Sequence, residues 1–315
     1  MLRYLLKTLA LGVVTLLGVT ILVFATIHLI PGDPIVTMFG LWEGDPELIA
    51  HLRHQYGFDQ PLYVQYIQWI AKVLQGDLGS SLRYGDPVLK LILERMPATL
   101  LLILASMAIS LSISIPVGVL SASKRHSLRD YAGSVFALLG ISTPAFWLGV
   151  MLMLVFALYL KLLPVYGFVS PFEDPVECLR HLALPSITLG VILAGTVTRT
   201  TRSSMLEVLR LDYIKFTRLK GMSERTVLYK HALKNALIPI VTIVGIQTGY
   251  LLGGTVIIEQ IFGWPGMGRL LLQAIYTRDY FLVQGAILVY AVLFFGVNLV
   301  TDLIYAFIDP RIRFE

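Results

Sequence analysis

Long uncharged apolar runs alternate with shorter polar segments along the 315 residues of this chain. Six runs stand out, at about 9–30, 98–120, 133–160, 182–198, 236–258 and 281–301. Each is near or above the ~20 residues that carry a helix across a bilayer core. The fourth is the shortest, with about 17 residues between His181 and Arg199. Inside lipid every backbone N–H and C=O must be paired within the segment, so helices are expected rather than isolated strands. The pattern predicts an all-α polytopic membrane protein, with residues 1–315 forming a single transmembrane domain of six helices. Pro144, in GISTPAFWLG, is expected to kink the third span, and Pro116 to bend the second. Pro185 falls near the outer end of the fourth.

Two polar segments are too organised to be plain connectors. The loop at 31–97 contains two Asp-Pro helix starts, Asp45-Pro46 and Asp86-Pro87, an acceptor followed by a residue suited to the first helical position. Leu48, Ile49 and Leu52 share one face of the first, and Gly57 is placed to stop it. Between them PLYVQYIQWIAKVLQG is rich in aromatics and suits a cap lying at the membrane surface. His51 and His54 sit three apart, but no third ligand is nearby, so they read as an exposed helical pair rather than a metal site.

Composition agrees with the pattern: 56% of residues are hydrophobic, 14% are charged and the mean hydropathy is +0.76, which excludes a soluble globular domain. Of the 25 Lys and Arg, 16 fall on the side of the two termini, nine of them between Arg199 and Lys234. Both termini and that basic segment are therefore expected in the cytoplasm of a multi-pass cytoplasmic (inner) membrane protein. The N-terminal MLRYLLKTLALGVV reads as an uncleaved first span, because its apolar run is long and no small-x-small site follows. The net charge of +5 is then a topological signature, and lipid rather than nucleic acid is the expected partner. Cys178, the single cysteine, falls in the outer loop 161–181 and has no internal disulfide partner.

The fifth span carries Gly245, Gly249 and Gly253 four residues apart, followed by Gly254. Such a stripe lets another helix approach closely; with Gln247 and Thr248 beside it, Gly245, Gly249 and Gly253 also mark a candidate translocation path. No carboxylate or lysine is expected in the middle of a span, whereas a proton- or sodium-driven carrier usually buries an acid there. There is no G-x-x-x-x-G-K-[ST] phosphate loop, G-x-S-x-G elbow or H-E-x-x-H helix. The chain reads as a conduit rather than an enzyme, driven from elsewhere.

The point of drive is the segment from Asp212 to Pro239, DYIKFTRLKGMSERTVLYKHALKNALIP, within the hairpin 199–235. Lys215, Arg218, Lys220, Arg225, Lys230 and Lys234 face only Asp212 and Glu224. Residues 201–220 read as one helix, with Gly221 as its left-handed stop. Ser223 is placed to cap a second helix with Glu224 in its first turn, running through Val227, Leu228, His231 and Ala232 toward the fifth span. Two helices meeting at Gly221 would make a short, rigid corner.

DYI-x-x-x-R-x-KG and H-A-L-x-N-A-L-x-P in this segment recur with HLIPGDP, GFDQPLYVQY, GDLGSS, PATLLL, TRSSMLEVL, LLGG-x-x-x-x-E-x-IF-x-WPGMGRLL and DPRIR, in that order along nearly the whole chain. With them the sequence resembles the permease subunits of binding-protein-dependent ABC importers, in the dipeptide, oligopeptide and nickel class. The resemblance implies a type I ABC importer permease arrangement and a non-catalytic subunit without a cofactor of its own. Its partners would be a second, homologous permease subunit, two ATPase subunits that hold ATP and magnesium, and an external solute-binding protein. Lys220, Gly221, Met222, Ser223, Glu224, Arg225 and Val227 would form the ATPase-coupling corner, with Met222 and Val227 as apolar anchors. Glu259, Phe262, Trp264 and Pro265 would form an external gate or a rim for the binding protein. Short peptides are the leading solute; nickel or a metal chelate is the alternative within the class. A stand-alone channel or secondary carrier is the alternative outside it.

Overall fold

The computed structural model describes residues 2–29, 35–36, 45–81 and 83–308. Most of HLIPGDP and all of DPRIR lie outside the described residues. Helix α1 is Leu2–Leu29. Helix α2, Pro46–Gln55, starts where the Asp45 carboxylate accepts the Glu47 N–H at 3.0 Å, and the chain leaves it through Gly57 at φ +73°. Helix α3 is Leu62–Leu74 and α4 is Val88–Ser123. Helices α5, Leu128–Ser142, and α6, Ala145–Tyr159, follow, the last turns of α6 being π-helical. Helix α7, Pro175–Val208, is capped by Asp174, which accepts the N–H groups of Val176 and Glu177. Helix α8 is Asp212–Leu219, and α9 is Glu224–Phe262 with a π-helical stretch at Val227–Ala232. Helices α10, Met267–Tyr276, and α11, Tyr280–Ile308, are the last among the described residues. Among the described residues there is no strand, only an isolated antiparallel bridge between Ser80 and Pro87.

Helices α1, α4, α7, α9 and α11 are each long and apolar enough to cross a membrane, and the pair α5–α6 makes a sixth span if counted as one. That pair corrects the expected kink. The two helices are bent by 104° at the break, because Pro144 disfavours helical geometry at the preceding residue and Thr143 is extended, at φ −85° and ψ 124°. Pro116, expected to bend the second span, is carried inside the continuous helix α4.

The fourth span is also different from its expectation. Its apolar run covers 17 residues, yet α7 has 34 and is the most enclosed of the candidate spans, with 67% of its most apolar window buried. A helix surrounded by protein needs less apolar surface than one facing lipid, so its Ser, Thr and Gly positions diluted the signal. Cys178 lies in the first turns of α7 rather than in a loop, and is buried.

The chain divides into two compact units, Met1–Ala98 with Gly266–Phe295, and Thr99–Pro265 with Gly296–Phe314. In the first, Leu78, Val88, Ile92, Met267, Leu270 and Leu282 form the core. The buried Ser81 hydroxyl donates to the buried Asp279 carboxylate. In the second, Val119, Val197, Met205, Ile214, Val227 and Ile240 pack together. There α5 and α7 cross at backbone distance: a Cβ on Gly195 would lie 2.8 Å from the Ala137 carbonyl oxygen, and one on Gly140 would lie 3.1 Å from Gly195 Cα. Only glycine permits that approach.

Candidate functional site

The basic segment is a corner, but its first arm is not one helix. Helix α7 ends at Val208, and tightened hydrogen bonds from Arg210 N–H to Glu207 O and from Leu211 N–H to Val208 O turn the chain before α8 begins. Leu211 is extended, and Asp212 opens α8 where a carboxylate meets the positive end of the helix dipole. Helix α8 ends at Leu219, and Gly221 follows at φ +75°, the left-handed conformation expected for a stop. The Ser223 hydroxyl oxygen then accepts the Thr226 N–H, with Glu224 in the first turn of α9.

Side chains hold the two arms together. Arg218 grips Glu224 through Nη2–Oε1 at 2.7 Å and Nε–Oε2 at 3.2 Å, and the bound carboxylate raises the Arg218 pKa. Lys215 donates to Asp212 at 2.7 Å and holds that carboxyl below its ordinary range. Asn235 Nδ2 donates to the Tyr213 hydroxyl at 2.6 Å, joining α8 to α9. Ile214, Val227 and Leu228 are buried beneath. Val227, expected as an anchor for a partner, instead has no exposed surface and fastens the corner to its own core. Met222 is exposed, together with Phe216 and Leu219, which the sequence reading did not single out. Leu219 is 82% exposed. Their signal was their spacing: Phe216 and Leu219 lie three apart on α8, off the stripe that carries Ile214. Lys220, Gly221, Ser223, Glu224 and Arg225 are all at the surface. The corner thus presents the apolar side chains of Phe216, Leu219 and Met222 beside the exposed cations Lys215, Lys220 and Arg225.

The glycine stripe on α9 divides in two. Gly245 and Gly249 are buried, and a Cβ on Gly245 would lie 2.5 Å from the Thr301 side chain. Gly253 and Gly254 are exposed, with nothing within 4 Å of a Cβ. Thr248 spends its hydroxyl on the Val244 carbonyl at 2.8 Å, and Gln247 is half-buried.

Of the residues expected at an external rim, Glu259, Phe262 and Trp264 are buried and Pro265 is half-buried. Trp264 meets Phe168 edge to face at 4.8 Å, Phe262 O accepts the Gly167 N–H at 3.0 Å, and Gly263 turns at φ +63°. In this state these residues fasten a turn instead of offering a surface. Glu259 is an enclosed carboxylate in the last turn of α9, at the end of that helix and not in its middle. It is fully buried on α9 and accepts from Thr99 Oγ1 at 2.8 Å. A second enclosed acid, Asp130, is gripped by Arg202 Nε and, at 2.9 Å, Nη2, and accepts the His126 N–H at 2.9 Å. Neither was legible because each depends on a partner far along the chain. Among the described residues no group of three metal-ligating side chains occurs, and His54 is paired with Asp59.

Residues 114–314 match the family described as the binding-protein-dependent transport system inner membrane component, and residues 1–103 match its N-terminal companion. The chain is 43% identical to a dipeptide transport system permease protein of Alkalihalophilus pseudofirmus, over 100% of both chains. It is 45% identical to a putative peptide permease of Brucella ovis, over 99% of both, and 43% identical to a glutathione transport system permease of Salmonella choleraesuis, over 100% of both. Among solved structures it resembles a chain of the MetNI methionine ABC transporter in an inward-facing conformation, with TM-score 0.59, 19% identity, and 70% of this chain and 96% of that chain covered. That likeness supports the type I permease fold, and the corner at Gly221 falls inside the matched family region. The chain is a multi-pass membrane protein and belongs to the family of binding-protein-dependent transport system inner membrane components.

Proposed function

We propose that this chain is one permease subunit of an ABC importer that carries short peptides across the cytoplasmic membrane, with both termini in the cytoplasm. The observation that carries this reading is the corner at Gly221. A left-handed glycine, a capped second arm and an Arg218–Glu224 clasp hold Phe216, Leu219 and Met222 outward beside exposed cations. A knob braced in this way suits transmission of motion from a partner, because the clasp and the glycine turn favour one angle between its arms. The family supports ATPase subunits and an external solute-binding protein as partners; the reading adds a second permease of the same kind and two ATPases that supply ATP and magnesium. Relatives of similar length named for dipeptides, peptides and glutathione support a short peptide as the solute. The exposed faces at Gly253 and Gly254 suit the second permease or the path between the two.

The test is reconstitution in proteoliposomes of this chain with a second permease, ATPases and a solute-binding protein from the same organism. Uptake of labelled dipeptide that needs ATP and the loaded binding protein is expected. Equal uptake by liposomes holding this chain alone would favour a stand-alone carrier and sink the importer reading.

A further inference from the structure

Within the first unit, a cavity of about 330 Å³ opens between the end of α1, the chain after α2, helix α3, residues 77–80 and the start of α11. Its lining is unlike that of a packing defect. Trp69 is 6% exposed, and its indole N–H has no hydrogen-bond partner; a buried donor left in that condition is destabilising until an acceptor arrives. Gln284, 3% exposed, also faces the cavity. Phe58 and Tyr280 add aromatic walls, their rings edge to face at 6.1 Å.

The mouth carries one charge of each sign. Lys72 and Asp77 both line the cavity, and neither forms an ion pair among the described residues. The turn after α3 brings them to the same rim: Asp77 N–H donates to Lys72 O at 3.0 Å, and Gly76 and Gly79 both adopt φ +83°. Asp77 is held in place because its Oδ1 accepts the Gly79 N–H at 2.8 Å, which leaves Oδ2 for another donor. A cation and an anion kept close but unpaired select a ligand that itself carries both signs. A simple anion would meet Asp77, and a simple cation would meet Lys72.

We propose that this cavity binds a zwitterionic short peptide. Its carboxylate meets Lys72 and its amino group meets Asp77. A peptide carbonyl accepts the Trp69 indole N–H, the Gln284 amide serves the remaining backbone polarity, and an apolar side chain packs against the wall that Phe58 and Tyr280 form together. The volume is at the small end of ligand pockets, which run from about 300 to 1,000 Å³, so a dipeptide or tripeptide fits and a longer peptide does not. The site gives the permease its own hold on the solute, separate from the binding protein. The identity of the ligand rests on the peptide-import reading; the pocket geometry does not.

The test uses the complete permease–ATPase complex in nanodiscs without binding protein, titrated with the dipeptide Ala-Phe and followed by calorimetry. Saturable binding is expected, weakened about tenfold in Lys72→Gln and in Asp77→Asn. N-acetyl-Ala-Phe should be insensitive to Asp77→Asn, and Ala-Phe amide insensitive to Lys72→Gln, a pattern that general loss of folding cannot produce. No saturable binding up to about 10 mM, or an affinity unchanged in both charge variants, overturns the proposal. Uptake with the binding protein restored is scored separately. Active Ala-Phe uptake without pocket binding removes the pocket and keeps the import reading, whereas pocket binding without uptake of any short peptide does the reverse.

Discussion

Arg218 and Glu224 close a two-point clasp across the turn at Gly221, with N–O distances of 2.7 and 3.2 Å. Both side chains are substantially exposed, at 41% and 54%. An exposed pair of this kind contributes only about 0.2–1 kcal/mol to stability, so its value is in fixing the angle between α8 and α9. Arg218→Gln is therefore expected to leave the melting temperature of the purified complex nearly unchanged while lowering the dipeptide transported per ATP hydrolysed. The exchange Arg218→Glu with Glu224→Arg should recover part of that ratio. An unchanged ratio in Arg218→Gln would show that the clasp does not set the coupling geometry.

Gly221 separates conformational strain from steric conflict. Nothing lies within 4 Å of where its Cβ would be, so a side chain meets open space. The obstacle is φ +75°, which costs a non-glycine residue roughly 1–2 kcal/mol, with Asn the most tolerant and β-branched residues the least. Coupling should fall in the order Gly, Asn, Ala, Val, with Gly221→Val separating ATP hydrolysis from transport. A flat series, measured as transport per ATP, would remove the corner from the mechanism.

Asp130 and Arg202 form a partly enclosed pair, the Asp130 side chain being 4% exposed and that of Arg202 29%. Removing one partner of a fully buried pair costs about 3 kcal/mol; here the Arg202 left behind is partly solvated, so the cost is smaller. Asp130→Ala should lower the thermal stability of the detergent-solubilised protein, and Asp130→Ala with Arg202→Ala should be less damaging than the single change. If the double variant is as unstable as the sum of the two singles, the pair is not coupled.

His54 Nδ1, in the last turn of α2, lies 2.6 Å from Asp59 Oδ2 in the chain that follows, at the surface. The hydrogen bond to Asp59 raises the His54 pKa above its ordinary 6.5, and the same bond lowers that of Asp59 below 3.8. The raised histidine contributes order that is present at low pH and lost as pH climbs through its folded pKa. The lowered aspartate contributes order that is present at higher pH and lost as pH falls through its own. The contact is therefore complete in the window between the two. A nuclear magnetic resonance titration of histidine-labelled protein should give His54 a pKa above 6.5, returning to that value in Asp59→Asn. Identical titrations in the two proteins would show that the pair does not form in solution.

Local chemistry was legible in the sequence, and long-range chemistry was not. Asp45, Gly57, Gly221 and Ser223 could be read because cap and turn residues act on backbone a few positions away, and each does so in the structure. The fourth span was underestimated because hydropathy reports contact with lipid, while α7 is largely enclosed by protein. Pro144 was recognised as a disruption but not as a break, since the extent of bending is decided by what the two halves pack against. Thr99 with Glu259, and Asp130 with Arg202, join residues 160 and 72 positions apart. So does the cavity at Trp69, whose walls come from both ends of the first unit. No periodicity in the chain encodes such meetings. Val227 shows the converse error: an apolar residue in a basic segment looked available to a partner, yet its own core had already claimed it.

The glycine stripe on α9 supplies the last prediction, because its two halves have different neighbours. Gly245 is buried against Thr301, where a Cβ would lie 2.5 Å from the side chain, so any larger residue must displace α11. Overpacking of this kind typically costs about 1–3 kcal/mol. Gly253 faces open space in this chain, so a larger residue meets nothing within it. Gly245→Leu is therefore expected to reduce the amount of folded protein recovered when the chain is expressed alone. Gly253→Leu should leave that amount unchanged and instead reduce co-purification with the second permease or block uptake by the assembled complex. Size-exclusion chromatography of each variant, with and without the second permease, separates these outcomes. If Gly253→Leu assembles and transports as the parent does, the open half of the stripe neither meets a helix of the partner nor borders the path of the solute.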